Sequence, residues 1–277
     1  MPELPEVEIV ARSLEKLVAK RKIVSSELLR PRLAPDTDPE TFSADLNGAH
    51  VNFVHRRGKH VLFDLDNGRT LITHLRMSGK FMLLDGEWPD PKFTHAVFHF
   101  EDGTRLIFQD QRHFGLMKMV GTSKLSEAKE IKKLAPEPLG EDFSYEYLRT
   151  TLRTSKRSLK EFLLDQTKVC GLGNIYAAEA MFLSRTNPRI SAQKLSKPKT
   201  AALFSNIRLV LADAIALGSS MPVVPHDIGG SIYGNRSDWK WRVYDREDEP
   251  CSACKSPITR IVQAGRSTYL CRVCQRR

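Results

Sequence analysis

Val51-Asn52-Phe53-Val54-His55-Arg56-Arg57-Gly58-Lys59-His60-Val61-Leu62-Phe63-Asp64-Leu65 sets apolar residues at alternating positions, notably Val51 and Phe53, then Val61, Phe63 and Leu65. A period of two belongs to a strand with one face buried and the other wet. Further strand-like runs follow at Thr70–Met77, Lys80–Leu84, His95–Phe100, Arg105–Gln109 and Leu116–Val120. Asn67-Gly68, Asp85-Gly86 and Asp102-Gly103 punctuate them. These dipeptides are hairpin signals, because Asn, Asp and Gly tolerate the positive φ of tight turns. Several short strands at this spacing predict a β-sandwich.

On the N-terminal side, Val7, Val10, Leu14, Leu17 and Val18 recur at steps of three and four between Glu3 and Lys20, which predicts an amphipathic helix. Pro31, Pro35 and Pro39 then break periodicity. On the C-terminal side, Lys132–Asp142 carries Pro136, Pro138 and Gly140 and reads as a linker. Beyond it the period is helical. Ser158 and Glu161 form a capping box for a short helix to about Gln166. Gly171-Leu172-Gly173-Asn174 interrupts, a helix resumes over Ile175–Ser184, and a longer one spans Pro198–Gly218. Gly229, Gly230 and Gly234 mark an irregular stretch before a cysteine-rich tail. The expected class is α+β multidomain, divided into residues 1–131, a linker at 132–142, a helical domain at 143–240 and a tail at 241–277.

The chain has 277 residues, 41% hydrophobic and 27% charged, so it can bury a core and a wholly disordered reading is excluded. No window approaches eighteen uninterrupted apolar residues, and Glu3, Glu6, Glu8, Arg12, Glu15 and Lys16 crowd the beginning. That argues against a spanning helix or secretory segment and for a soluble intracellular protein. A net charge of +10 favours a polyanionic partner, nucleic acid before acidic membrane. The stretch Pro250–Arg277 alone holds six basic residues and no acid.

Within that tail, Cys251-x2-Cys254 and Cys271-x2-Cys274 stand sixteen residues apart, the two-plus-two spacing that closes four thiolates around zinc. Disulfides are the alternative, but nothing in the chain marks an oxidising compartment. Four protein ligands leave no open position, so the expected cofactor is one structural Zn²⁺. Arg266 lies where a hairpin between the pairs would turn. Cys170 reads as a small buried residue. Gly171–Asn174 opens a helix, where free N–H groups can hold an anion.

Pro2 follows Met1 directly, and removal of Met1 would leave a secondary amine with a reference pKa near 8. Such an amine attacking an aldehyde carbon gives an iminium, an electron sink for elimination. Glu3 beside it and Glu6 one turn on supply carboxylates for proton transfer. The first turn of a helix also favours acids for its dipole, so an ordinary helix start is the competing reading.

Together these residues resemble the bacterial formamidopyrimidine-DNA glycosylase family, related to the endonuclease VIII-like glycosylases. The resemblance rests on Pro2-Glu3-Leu4-Pro5-Glu6-Val7-Glu8, Arg57-Gly58-Lys59, His74-Leu75-Arg76-Met77-Ser78-Gly79, Pro136-Glu137-Pro138-Leu139, Gly171-Leu172-Gly173-Asn174-Ile175-Tyr176 and the cysteine pairs. These blocks run in family order across nearly the whole chain. The resemblance implies an N-terminal helix and catalytic β-sandwich domain, a DNA-binding helical domain with a helix–two-turn–helix element, and a β-hairpin zinc finger, with duplex DNA across the cleft between domains. It implies that Pro2 attacks C1′ of an extruded damaged nucleotide, that Glu3 handles protons at the sugar with Glu6 in support, and that β- and δ-elimination cut the strand. Lys59 joins the catalytic group and, with His74, Lys160, Asn174, Tyr244 and Arg266, binds DNA. Met77, Arg112 and Phe114 fill the space that the extruded base vacates. Without the resemblance, Met77 and Phe114 read as core and His74 as a satisfied strand histidine.

Two segments depart from the family pattern. Asp110-Gln111-Arg112-His113-Phe114-Gly115 stands where the family usually has Asp-Pro-Arg-Arg-Phe-Gly. After Gly229-Gly230-Ser231, Ile232-Tyr233-Gly234-Asn235-Arg236-Ser237-Asp238-Trp239 replaces a Gly-rich, Pro-containing loop that covers an everted purine. Tyr233, Trp239 and Trp241 are candidates for base stacking or for support of the finger. The leading expectation is a bifunctional glycosylase/AP lyase for formamidopyrimidines and 8-oxoguanine. The same chemistry on oxidised pyrimidines is the runner-up, and a non-catalytic zinc-finger protein that binds damaged DNA is the other class. A monomer without a membrane partner, in the bacterial cytoplasm at the nucleoid, completes the reading.

Overall fold

The structure is a computed structural model that describes residues 1–229 and 241–276. The chain divides into two compact units, Met1–Lys132 with Leu217–Ile232, and Lys133–Ala216 with Tyr233–Arg277.

The first unit opens with α1 (Leu4–Val18), whose Leu4, Val7, Val10, Ala11, Leu14 and Val18 are buried. The strands β1 (Ile23–Leu28), β6 (Thr94–Phe100), β7 (Arg105–Asp110) and β5 (Gly79–Leu84) form one antiparallel sheet in that spatial order. A second is ordered β2 (Val51–Arg57), β3 (His60–Leu65), β4 (Arg69–His74) and β8 (Leu116–Gly121). Their inner faces share one core with α1, in which Phe81 lies edge-on to Phe63 and Phe108 at centroid separations of 5.5 and 5.2 Å. The sandwich is as the alternation implies.

Two elements escaped the sequence reading. β1, Ile23-Val24-Ser25-Ser26-Glu27-Leu28, has an irregular burial pattern and a register shift between Ile23 and Ser25, so its period is spoiled. Helix α2 (Pro39–Leu46) begins at a proline that reads as a breaker. Pro at the first helical position is favourable, and Asp38 caps the turn by accepting from Thr41 N at 2.9 Å. Gly68 (φ 76°) and Gly103 (φ 83°) occupy the β3–β4 and β6–β7 turns as expected. Asp85-Gly86 does not close a hairpin, because β5 and β6 lie on opposite sides of β7. The run Thr70–Met77 ends as a strand at His74, where Gly79 N turns back to Leu75 O at 2.9 Å. Glycine is required at position 79, since an added Cβ would stand 2.5 Å from that same oxygen.

Leu217–Ile232 joins this unit rather than the helical region in which the sequence reading placed it. Leu83 N donates to Pro225 O at 2.7 Å, and Phe81 and Ile228 exchange backbone hydrogen bonds along the free edge of β5.

The second unit contains α3 (Tyr145–Arg153), α4 (Leu159–Leu164), α5 (Asn174–Leu183) and most of α6 (Lys197–Ser219), then the hairpin of β9 (Thr259–Gln263) and β10 (Arg266–Leu270). Ser158 and Glu161 make the expected capping box on α4. Between α4 and α5, the side chain of Gln166 donates to Leu164 O and Leu172 O and accepts from Gly171 N. One amide thus staples both turns of the helix–two-turn–helix. The stretch at 132–142 is no free tether: Ala135 N donates to Gln166 O, and Arg208 donates to the carbonyls of Pro138, Leu139 and Gly140. At 23 residues and a mean hydropathy of 1.5, α6 is long and apolar enough to cross a membrane. Its buried Leu203, Ile207, Val210, Leu211 and Ala214 make it a core helix.

Candidate active site and zinc centre

The register of the second sheet assembles most of the expected site in the first unit. Arg57 pairs with His60, His60 with His74, and His74 with Leu116. The Gly58-Lys59 turn, His74–Met77 and Phe114–Gly115 therefore meet at one end of that sheet. In the other sheet Gly79 pairs with Asp110, which brings the same two loops together from the opposite side.

At the chain start, Glu3 is the N-cap of α1 and Glu6 the third residue of its first turn. Glu6 Oε2 accepts from Glu3 N at 2.8 Å, and both residues are buried, 4% and 3% exposed. This bond gives Glu6 a positioning task that fixes the backbone beside Pro2. With Met1 attached, the Pro2 nitrogen is an amide, and only removal of Met1 yields the amine. Arg56 ties α1 to the Lys59 turn: its Nε donates to Glu8 Oε2 at 2.8 Å and its Nη1 to Gly58 O at 2.9 Å. Burial pushes the Glu8 carboxyl up, but Arg56 and Arg12 outweigh it and hold the group below its ordinary value. Lys59 is buried at 6% exposure.

His74 Nδ1 accepts from Arg76 N at 3.0 Å, and an amide can only donate, so the proton of the neutral ring resides on Nε2. Burial first, then His60, Arg76 and Lys59, lower its pKa to about 2. His60 stands edge-on to it at 4.7 Å and is lowered to about 4, mainly by burial. His74 is thus a neutral hydrogen-bond donor among cations.

Met77 and Phe114 are 48% and 55% exposed, which rules out the core reading of both side chains. The Arg112 guanidinium lies over the Phe114 ring at 5.4 Å. Asp110, which sequence reasoning left without a role, organises this group. It is fully buried and accepts from Ser78 Oγ, Arg112 N at 3.1 Å and Gly115 N at 2.7 Å. Burial would raise its pKa, yet these donors hold it below the ordinary carboxylate value. Ser78 Oγ also accepts from Arg112 N at 3.0 Å, joining the Met77 loop to the Arg112 loop.

The second unit carries the remaining residues. Asn174 begins α5, half-buried, with an Oδ1 that has no hydrogen-bond partner among the described residues. Glu179, buried on the same helix, accepts from the amides of Arg242, Val243 and Tyr244 at 2.9, 2.9 and 3.1 Å and so fixes Tyr244. A lone acid in Asn-Ile-Tyr-Ala-Ala-Glu-Ala-Met-Phe-Leu is the signal that could have found it. Tyr244 packs edge-on to Tyr269 and Trp241, and Trp241 to Tyr176, so Trp241 supports the finger. Tyr233, Trp239 and the rest of the altered loop from Gly230 lie outside the described residues.

Arg266 is exposed beside the Ala264-Gly265 turn, whose φ values of 47° and 72° give the two left-handed residues of a tight hairpin. Lys160 is placed otherwise than a phosphate-facing lysine. It is 1% exposed, and its Nζ donates to Ser267 O at 2.6 Å and Thr268 Oγ1 at 2.5 Å, fastening α4 to β10. Burial, then Arg266, lowers its pKa to about 8.

The four cysteines of the tail place their sulfurs within 4.8 Å of one another, with Cys254–Cys271 at 3.3 Å and Cys251–Cys274 at 3.9 Å. Tetrahedral zinc–thiolate bonds of about 2.3 Å put sulfurs about 3.8 Å apart. The donor set fits one structural Zn²⁺.

Comparison with known proteins agrees with this geometry. Residues 1–117 match the family model of the formamidopyrimidine-DNA glycosylase N-terminal domain, 134–224 that of its H2TH domain, and 248–277 that of a zinc finger found in FPG and IleRS. A formamidopyrimidine-DNA glycosylase of Listeria monocytogenes is 40% identical over 276 residues, the full length of both chains. The chain belongs to the formamidopyrimidine-DNA glycosylase family. A Streptococcus pneumoniae glycosylase of this family is 39% identical, again over the full length of both chains. The Lactococcus lactis enzyme, solved in complex with DNA containing an abasic site, is 36% identical with a TM-score of 0.90 over 99% of this chain and 100% of its own. The same enzyme has been solved on DNA containing an oxidized pyrimidine, with a TM-score of 0.91 over 100% of both chains. As a member of the glycosylase family this chain is an enzyme of DNA repair, and its tail is the family's zinc finger.

Proposed function

We propose that this glycosylase excises oxidised purines, formamidopyrimidines and 8-oxoguanine, from duplex DNA and cleaves the strand at the resulting site. The observation that carries the proposal is the capped start of α1, where the buried Glu3 adjoins Pro2 on a helix tied to the Lys59 turn. After Met1 is removed, the unprotonated Pro2 nitrogen attacks C1′, the glycosidic bond breaks, and the base leaves with its bonding pair and takes up a proton. The attached nitrogen gives up its own proton to solvent, Glu3 delivers a proton to the sugar ring oxygen, the ring opens, and the amine becomes an iminium at C1′. Loss of a C2′ proton expels the 3′ phosphate, and a second elimination expels the 5′ phosphate.

Phosphate contacts come from Lys59 and a neutral His74 in the first unit, and from Asn174, Tyr244 and Arg266 in the second. Lys160 supports Arg266 through β10 instead of touching DNA. Met77 and Phe114 offer exposed apolar surface to the vacated stack, while Arg112 hydrogen-bonds to the orphaned base. The protein works as a monomer in the bacterial cytoplasm, on nucleoid DNA.

Oxidised pyrimidines are the second reading, because the Lactococcus lactis enzyme has been crystallised on one and residues 232–239 depart from the family loop. A set of duplexes with single lesions separates the two. Excision of 8-oxoguanine and formamidopyrimidine, leaving phosphate at both ends of the gap, supports the proposal. Inactivity on both beside cleavage at thymine glycol would transfer it to pyrimidines.

A further inference from the structure

His113 stands in the loop of Arg112 and Phe114 where the family usually has arginine. Its backbone is left-handed, φ 61°, and its ring stacks on that of buried His95 at 5.0 Å. His113 Nδ1 and His95 Nε2 are 3.0 Å apart, so one ring donates to the other. On its other side His113 meets the edge of Phe93 at 5.6 Å, and Phe93 is itself left-handed at φ 70°. For a bulky aromatic residue that conformation is an outlier that surrounding contacts must hold. Phe93 O in turn accepts from Asp110 N at 3.1 Å. Two residues with left-handed backbones thus meet at the base of the gap-filling loop, and the imidazole pair is a hydrogen bond between the loop and β6.

We infer that His113, through its hydrogen bond to His95, is a positioning residue that holds Arg112 and Phe114 in the geometry that fills the vacated base stack. The inference rests on the gap-filling role assigned above to those two side chains. It also has a protonation limit. One ring must accept, so the bond survives in the neutral or singly charged pair and is lost when both rings are cationic, with N–H facing N–H. The charges acting on His95 are His113 and Arg30, which together with burial lower its pKa, and Asp110, which opposes them. At neutral pH the bond is intact.

The test measures KM and kcat at neutral pH on a duplex with one abasic site for wild type, His113→Ala and His113→Asn. An asparagine amide lies near the position of Nδ1, tolerates positive φ and does not titrate. At neutral pH, His113→Ala raises KM about tenfold with kcat little changed, while His113→Asn restores the wild-type KM. An unchanged KM in His113→Ala, or an asparagine variant as impaired as alanine, overturns the inference. If wild type does not cut the abasic duplex at all, the enzymatic reading fails first. If it cuts and the variants match it, only the His113 inference fails.

Discussion

At the scale of single residues, the site depends on polar groups whose partners fix their protonation. Asp110→Asn removes the negative acceptor that gathers Ser78, Arg112 and Gly115, and leaves an amide aimed at buried donors. A loss of about 1–3 kcal/mol in urea unfolding is expected, with weaker binding to abasic duplex. His60 and His74 make an acid prediction. Both stay neutral in the folded chain well below the ordinary 6.5, whereas the unfolded chain takes up protons there. Stability therefore falls as pH drops from about 6.5 toward 4, by up to about 1.4 kcal/mol per pH unit for each ring, and His60→Gln should flatten the decline. Because His74 donates while neutral, His74→Ala should weaken DNA binding without changing its salt slope, whereas Arg266→Gln should reduce the slope by about one. The resemblance had named His74 and Arg266, but the partners that fix these groups were not legible in the sequence. Asp110, His95 and His113 acquire their roles only when β6, β7 and the loops beside them are in register, and an aspartate after an apolar strand looks like any turn residue.

At the scale of elements, much could be read and the failures have physical causes. The helical stripe of α1 survives because it buries one face against the core. Val61, Phe63 and Leu65 of β3 meet the same core, although His60 and Leu62 are buried too. In β2 a register shift between Val51 and Phe53 breaks the alternation and leaves Phe53 51% exposed. Sheet order was not readable, since β1 pairs with β6 and β4 with β8 across long stretches of chain. The finger was legible because its spacing is dictated by one metal. Chelation of zinc should abolish amide-exchange protection in β9 and β10 and leave that of β2 to β8 in place. Lys160→Met tests the strut between α4 and β10. It should preserve zinc content while loosening the hairpin, and DNA affinity should fall through misplaced Arg266.

At the scale of the molecule, the charge of +10 and two units that each carry phosphate-binding candidates fit an enzyme that grips a polyanion. The chemistry, however, rests on one nitrogen. Borohydride reduction of the processed protein on abasic duplex, followed by peptide mass analysis of the adduct, tests that claim directly. A stable protein–DNA adduct mapped to an N-terminal Pro2, and lost in Pro2→Gly, is the expected result. No adduct from protein that lacks Met1, or an adduct mapped to a lysine, would contradict the account.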